Sequence, residues 1–170
     1  AYTLGMKWRV CREGAAIGGA LLTGYLAVLL VKAVVTGGPM QGYPSSLYVD
    51  GLSALVVLLV SIVILVIVGY SIRYMEHQVE QGLTSHRRLV LYYGSLMLFA
   101  AVMLWVCLTN NMIWLYVALE GTTLATALLV CFYWKWEGLE ASYKYVLLVV
   151  TGLCFALFGT VLLYSAAAQY

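Results

Sequence analysis

An all-α membrane protein, a bundle of five transmembrane helices with the N-terminus inside and the C-terminus outside, is the architecture these 170 residues imply. The chain is 64% hydrophobic and only 9% charged, its mean hydropathy is +0.96, and its Lys and Arg alternate from one connection to the next. Such a composition excludes a soluble domain. A hydrocarbon core of about 30 Å needs roughly 20 helical residues, so a chain of this length with short connections holds about five spans and no second domain. The net charge of +2 lies in the connections, where it reports orientation and gives no reason to expect a nucleic-acid partner.

Span one covers 15–36, apolar apart from Lys32, after a basic lead carrying Lys7, Arg9, Arg12 and Glu13. Its apolar run is too long for a secretory signal and no small-residue cleavage pattern follows, so it reads as a membrane helix. Segment 37–48 holds both prolines, Pro39 and Pro44, and three glycines, which end the helix in a loop. Asp50 then precedes span two, 52–72, as a helix cap. Segment 73–88 is polar; 89–108 is span three; Asn110 and Asn111 make a tight connection; 112–134 is span four; 135–142 is a connection; and 143–164 is span five.

Three basic residues precede span one, none separates one from two, three separate two from three, and none separates three from four. Lys135 lies between four and five, Lys144 opens five, and none follows. Every connection then obeys the positive-inside rule with the N-terminus inside. Small residues recur four apart in Gly14 and Gly18, in Gly121 and Ala125, and in Gly152, Ala156 and Thr160, faces on which membrane helices approach closely. Cys11, Cys107, Cys131 and Cys154 have no metal-ligand spacing and read as small core residues. No phosphate loop, haem or zinc spacing or GxSxG is present, so no cofactor is expected on this chain.

Glu120 lies within the apolar run 112–134, eight residues from its start and so about 12 Å along the helix. An acid at that depth costs on the order of 3 kcal/mol and must be protonated, paired or beside water. Two readings stand: a neutral acid bonded to a neighbouring hydroxyl or carbonyl, with Thr122 and Thr123 as its partners, or a proton carrier. Lys144, about one turn inside span five beside Tyr143 and Tyr145, is either a snorkelling, orientation-setting lysine or a basic group at the inner entrance. Lys32 is explained by snorkelling. His77, His86, Arg73, Glu76, Glu80, Arg87 and Arg88 read as a solvated inner loop.

Five pieces occur in order: Val49-Asp50-Gly51-Leu52-Ser53, Arg73-Tyr74-Met75, Leu108-Thr109-Asn110-Asn111, Leu119-Glu120-Gly121-Thr122-Thr123-Leu124 and Glu140-Ala141-Ser142-Tyr143-Lys144-Tyr145. With them the chain resembles, over about residues 49–165, the front part of the antiporter-like proton-translocating membrane subunits of complex I, energy-converting hydrogenases and Mrp antiporters. The wording is most similar to the hydrogenase-type members. The resemblance implies proton-transfer roles for Glu120 and Lys144. No residue here matches the family's central lysine, its broken helix or its second inverted repeat.

The expectation is therefore a membrane subunit of a redox-driven proton (or sodium) translocating complex, to which Glu120 contributes an intramembrane acid. A scaffold subunit without its own ion path and a component of a secondary cation/proton antiporter are the alternatives. The chain carries no redox or hydrolytic site of its own, so enzymatic activity would belong to the complex. Its partners would be the lipid bilayer and other membrane subunits, including one that supplies the missing lysine, in a prokaryotic cytoplasmic or equivalent energy-transducing membrane. The chain itself reads as a split subunit, a reduced paralogue or a fragment.

Overall fold

A computed structural model of the protein describes the backbone of residues 2–42, 46–82, 86–132 and 136–167, with side chains described for 13–42, 46–82, 88–132 and 136–166. Among them run α1 (Tyr2–Gly37), β1 (Met40–Gln41), β2 (Tyr48–Val49), α2 (Gly51–Glu80), α3 (His86–Leu108), α4 (Met112–Val130) and α5 (Trp136–Ala167). All five helices are long and apolar enough to cross a membrane. Because the amides beyond the first turn of each helix bond within that helix, the backbone meets the main condition for burial in hydrocarbon.

Each helix starts and stops for a local reason. The Asp50 carboxylate accepts the Ser53 N–H at 2.7 Å and so caps α2, as expected. Asn111 caps α4 by accepting the amides of Ile113 and Trp114. Gly38 and Gly82 follow α1 and α2 with φ of 81° and 70°, the left-handed conformation in which their N–H groups turn back to the carbonyls of Val34 and Val79.

Helix boundaries depart from the hydropathy reading, and α1 already begins at Tyr2, within the basic lead expected to precede span one. Helix α2 continues about two turns past Ile72, to Glu80, and α5 begins at Trp136 within the segment expected to be a connection. Both extensions are polar and helix-favouring: Lys144 pairs with Glu140 one turn away, and Glu137 sits in the first turn of α5, where the helix dipole favours an acid. A hydropathy window sees where lipid ends, which is not where helices end. The end expected for span four, 131–134, falls partly outside the described residues; α4 stops at Val130, with Cys131 as its C-cap.

The helices pack in serial order, with α1 also touching α3 and α5 packed chiefly on α4. The core lies between α1, α2 and α3, where Ala16 and Ala20 meet Ile64, Val68, Tyr93, Leu96 and Ala100, with Leu129 of α4 against them. Alanines thus form the close-packing stripe of α1, while Gly14 and Gly18 of the expected stripe are exposed and have nothing near them. A second cluster, Met75, Leu89 and Phe132, lies beside the Ser71–Tyr92 hydrogen bond of 2.9 Å. Among the described residues of α5 only Ser142 is buried, and Gly152 and Ala156 face outward.

The first loop holds an antiparallel ribbon pairing Met40 with Val49 and Gln41 with Tyr48. It also reaches the α3–α4 turn, where Leu47 bridges to Thr109 and the Asn110 N–H donates to the Ser46 carbonyl at 2.7 Å.

Candidate functional site

Helix α4 carries Glu120 in the middle of an otherwise apolar helix. Nineteen residues give it a length of about 28 Å, and Glu120 stands close to its midpoint. On the side toward α3, Gly121 lets the backbones come close: a Cβ there would stand 3.0 Å from Val102 Cγ1. Ala125, one turn on, is completely buried. The expected small pair on α4 is therefore a packing face, and it fixes the rotation of the helix.

That rotation sets Tyr116, Glu120, Thr123 and Ala127 along the face toward α5, since they repeat at helical spacing. The Ser142 hydroxyl donates to the Ala127 carbonyl at 2.9 Å, and Thr126 Oγ1 lies 3.0 Å from Tyr145 Oη. Nearer the middle, the Tyr116 hydroxyl sits beside the Cys154 thiol of α5 and within electrostatic reach of Glu120. Glu120 Oε2 is buried and finds no hydrogen-bond partner among the described residues.

The threonines do not serve it. Thr122 and Thr123 both donate to the Leu119 carbonyl, at 2.7 and 3.2 Å, closing short loops on their own helix as Ser and Thr do in helix interiors. Lys144 does not serve it either, because it is exposed and paired with Glu140. It lies beside Tyr145, level with Thr126, and six residues separate Thr126 from Glu120, or about 9 Å along the axis. Glu120 and Lys144 therefore occupy the same helix pair at different depths and form no ion pair.

Tyr116 and Cys154 are site residues that the sequence reading missed. Tyr116 is four residues before Glu120, a spacing that places two side chains one above the other on a helix and that marks it in the sequence alone. Cys154 becomes a neighbour only through the register of α5 on α4, and it is exposed rather than in the core. Cys107 and Cys131 are partly buried free thiols, and the side chain of Cys11 lies outside the described residues. His77 and Glu80 are exposed at the polar end of α2, as a solvated connection requires; the side chains of His86 and Arg87 lie outside the described residues.

Two family models match the chain. Residues 42–84 match "NADH-Ubiquinone oxidoreductase (complex I), chain 5 N-terminus", and residues 109–170 match "NADH:quinone oxidoreductase/Mrp antiporter, TM", so that Glu120 and Lys144 both lie in the second. The chain is 35% identical over 125 residues, or 73% of its length, to the hydrogenase-4 component F homolog of Methylacidiphilum infernorum. It is 33% identical over 142 residues, or 83% of its length, to a Na(+)/H(+) antiporter subunit of Alkalihalophilus pseudofirmus. With a Na(+)/H(+) antiporter subunit of Staphylococcus aureus it shares 35% identity over 147 residues. The chain spans 26% of the length of the first of these relatives and 17% of each of the others. Five helices of bilayer-crossing length, two matched models in the right order and relatives more than 30% identical over most of the chain show that this integral membrane chain belongs, as a partial-length member, to the antiporter-type membrane subunits of complex I, hydrogenase-4 and Mrp antiporters.

Proposed function

We propose that the chain is a membrane subunit of a redox-driven proton (or sodium) translocating complex and that Glu120 is its ion-exchanging group. The observation that carries this reading is the buried, unpartnered Oε2 at the middle of α4. A carboxylate in such a place is stable as a charge only when a cation or donors come to it, and an opposite charge within about 4–6 Å changes its proton affinity strongly. Lys144 is committed to Glu140, so the counter-charge comes from a companion chain or from further residues of a longer protein. Proton loss from Glu120 then follows the approach of that cation, and proton gain follows its withdrawal.

Lys144 acts in this scheme as an accessory basic group at the inner entrance, with the N-terminus of the chain inside and its C-terminus outside. Electron transfer and its cofactors belong to other subunits, and the membrane is the cytoplasmic membrane of a prokaryote or an equivalent. The test is Glu120→Gln, which keeps the side-chain volume and removes titration, in the full-length protein assembled with its companions and reconstituted in vesicles. The expected outcome is loss of ion translocation in a complex that still assembles. Full translocation by that variant overturns the assignment, and loss of assembly alone assigns Glu120 to a scaffold.

The similarity to two Na(+)/H(+) antiporter subunits over about four fifths of the chain favours a second reading, a component of a secondary cation/proton antiporter. Sodium-dependent proton exchange by vesicles without any redox subunit decides for it.

A further inference from the structure

A groove of about 490 Å³ runs between α1 and α2 toward their polar ends. Its walls are hydrocarbon, with Ile17 and Leu21 on one side and Leu65 and Ile72 on the other, its floor is the buried pair Ala20 and Val68, and at the exposed Gly69 a Cβ would meet nothing within 4 Å. Leu21 is 55% exposed and Leu65 41%, so the groove faces outward, into the region that lipid occupies. Water gains nothing from such walls; an acyl chain does.

The groove ends at Arg73 and Glu76. Arg73 is the first charge after the apolar run 52–72, whose length of about 30 Å carries it to headgroup level. It is exposed and makes no hydrogen bond or ion pair with any described residue. Glu76 is held in an interaction of its own. The same end of α1 carries Lys7, Arg9, Arg12 and Glu13 in the sequence, so that with Arg73 and Glu76 counted the local balance is still basic.

From this we infer that the α1–α2 groove is a binding site for one anionic phospholipid, with an acyl chain along Ile17, Leu21 and Leu65 and the phosphodiester on Arg73. A guanidinium presents two parallel N–H donors to phosphate oxygens, which a zwitterionic lipid answers less well because its own ammonium competes. The inference is independent of whether Glu120 carries protons.

The experiment takes the full-length protein with its companions from bilayers of equal phosphatidylglycerol and phosphatidylcholine and reads retained lipid by native mass spectrometry. The expected result is about fivefold preference for phosphatidylglycerol, the selectivity that one interfacial basic residue confers. Arg73→Gln brings that preference close to one. Leu21→Trp, which fills the groove from its exposed rim without touching the core, reduces retention of both lipids, and Lys32→Gln at the opposite end of α1 changes neither. Equal retention of the two lipids by the unaltered protein, or a preference that survives Arg73→Gln, overturns the assignment. Retention of no lipid also overturns it and gives the groove to a companion helix.

Discussion

Gly121 packs closely on Val102 of α3, and its consequence follows from sizes. One methyl group would stand 3.0 Å from Val102 Cγ1, and Val102 is β-branched with little rotamer freedom to yield. Gly121→Ala gains about 1 kcal/mol of helix propensity and loses a similar amount to overpacking, so it is close to neutral. Gly121→Val has no such offset and should lower unfolding stability by about 2 kcal/mol, with Val102→Ala in the same background restoring more than half of the loss. Unfolding of the four proteins in mixed micelles measures the cycle. Equal stability of Gly121→Val and the parent would show that α3 and α4 are not held at this distance. At the same scale, Glu120 is legible in the sequence because a lone acid in an apolar run needs no neighbour to be noticed. Its surroundings are not legible. Thr122 and Thr123 stand next to it in sequence, yet their hydroxyls reach the Leu119 carbonyl sooner, while Cys154 reaches Tyr116 only through the docking of another helix.

Helices in this chain are legible as apolar runs and illegible at their ends. Segments 52–72 and 143–164 mark what lies in hydrocarbon, whereas the observed α2 and α5 run into polar residues that hold helical structure by side-chain pairs and dipole effects of a few tenths of a kcal/mol each. Such terms leave no hydropathy signal. The ribbon of β1 and β2 escapes sequence reading for a related reason: two paired residues per strand are too short for alternation to register. Caps are the exception, because Asp50 before an apolar run has one evident role. The Ser53 amide donates to its carboxylate and holds its pKa below the ordinary 3.8. A depressed folded value means that the cap's contribution is complete above the unfolded pKa and is lost as pH falls through the folded one. The melting temperature of the protein should therefore drop between about pH 5 and pH 3 more steeply than that of Asp50→Asn, whose amide oxygen caps without titrating. Parallel curves for the two proteins would remove Asp50 from the account.

For the molecule as a whole, orientation rests on the placement of Lys and Arg, and it makes the chain's two sides distinguishable by chemistry. In a background with Cys11, Cys107, Cys131 and Cys154 replaced by Ser, a membrane-impermeant maleimide should label Gln41→Cys in intact cells. Gln81→Cys should be labelled only after permeabilisation. The opposite pattern would invert the topology and put Lys144 at the outer face. Both engineered positions are exposed and lie in connections on opposite ends of α2. One end of the helices is also tied together, where Ser46 and Leu47 of the first loop bond the α3–α4 turn at Asn110 and Thr109. That clasp holds the first loop, between α1 and α2, to the α3–α4 turn, and at the opposite rim Met75, Leu89 and Phe132 hold α2 and α3 to the end of α4. Helices α2 to α4 are therefore fastened at both rims, whereas α5 is fastened chiefly to α4.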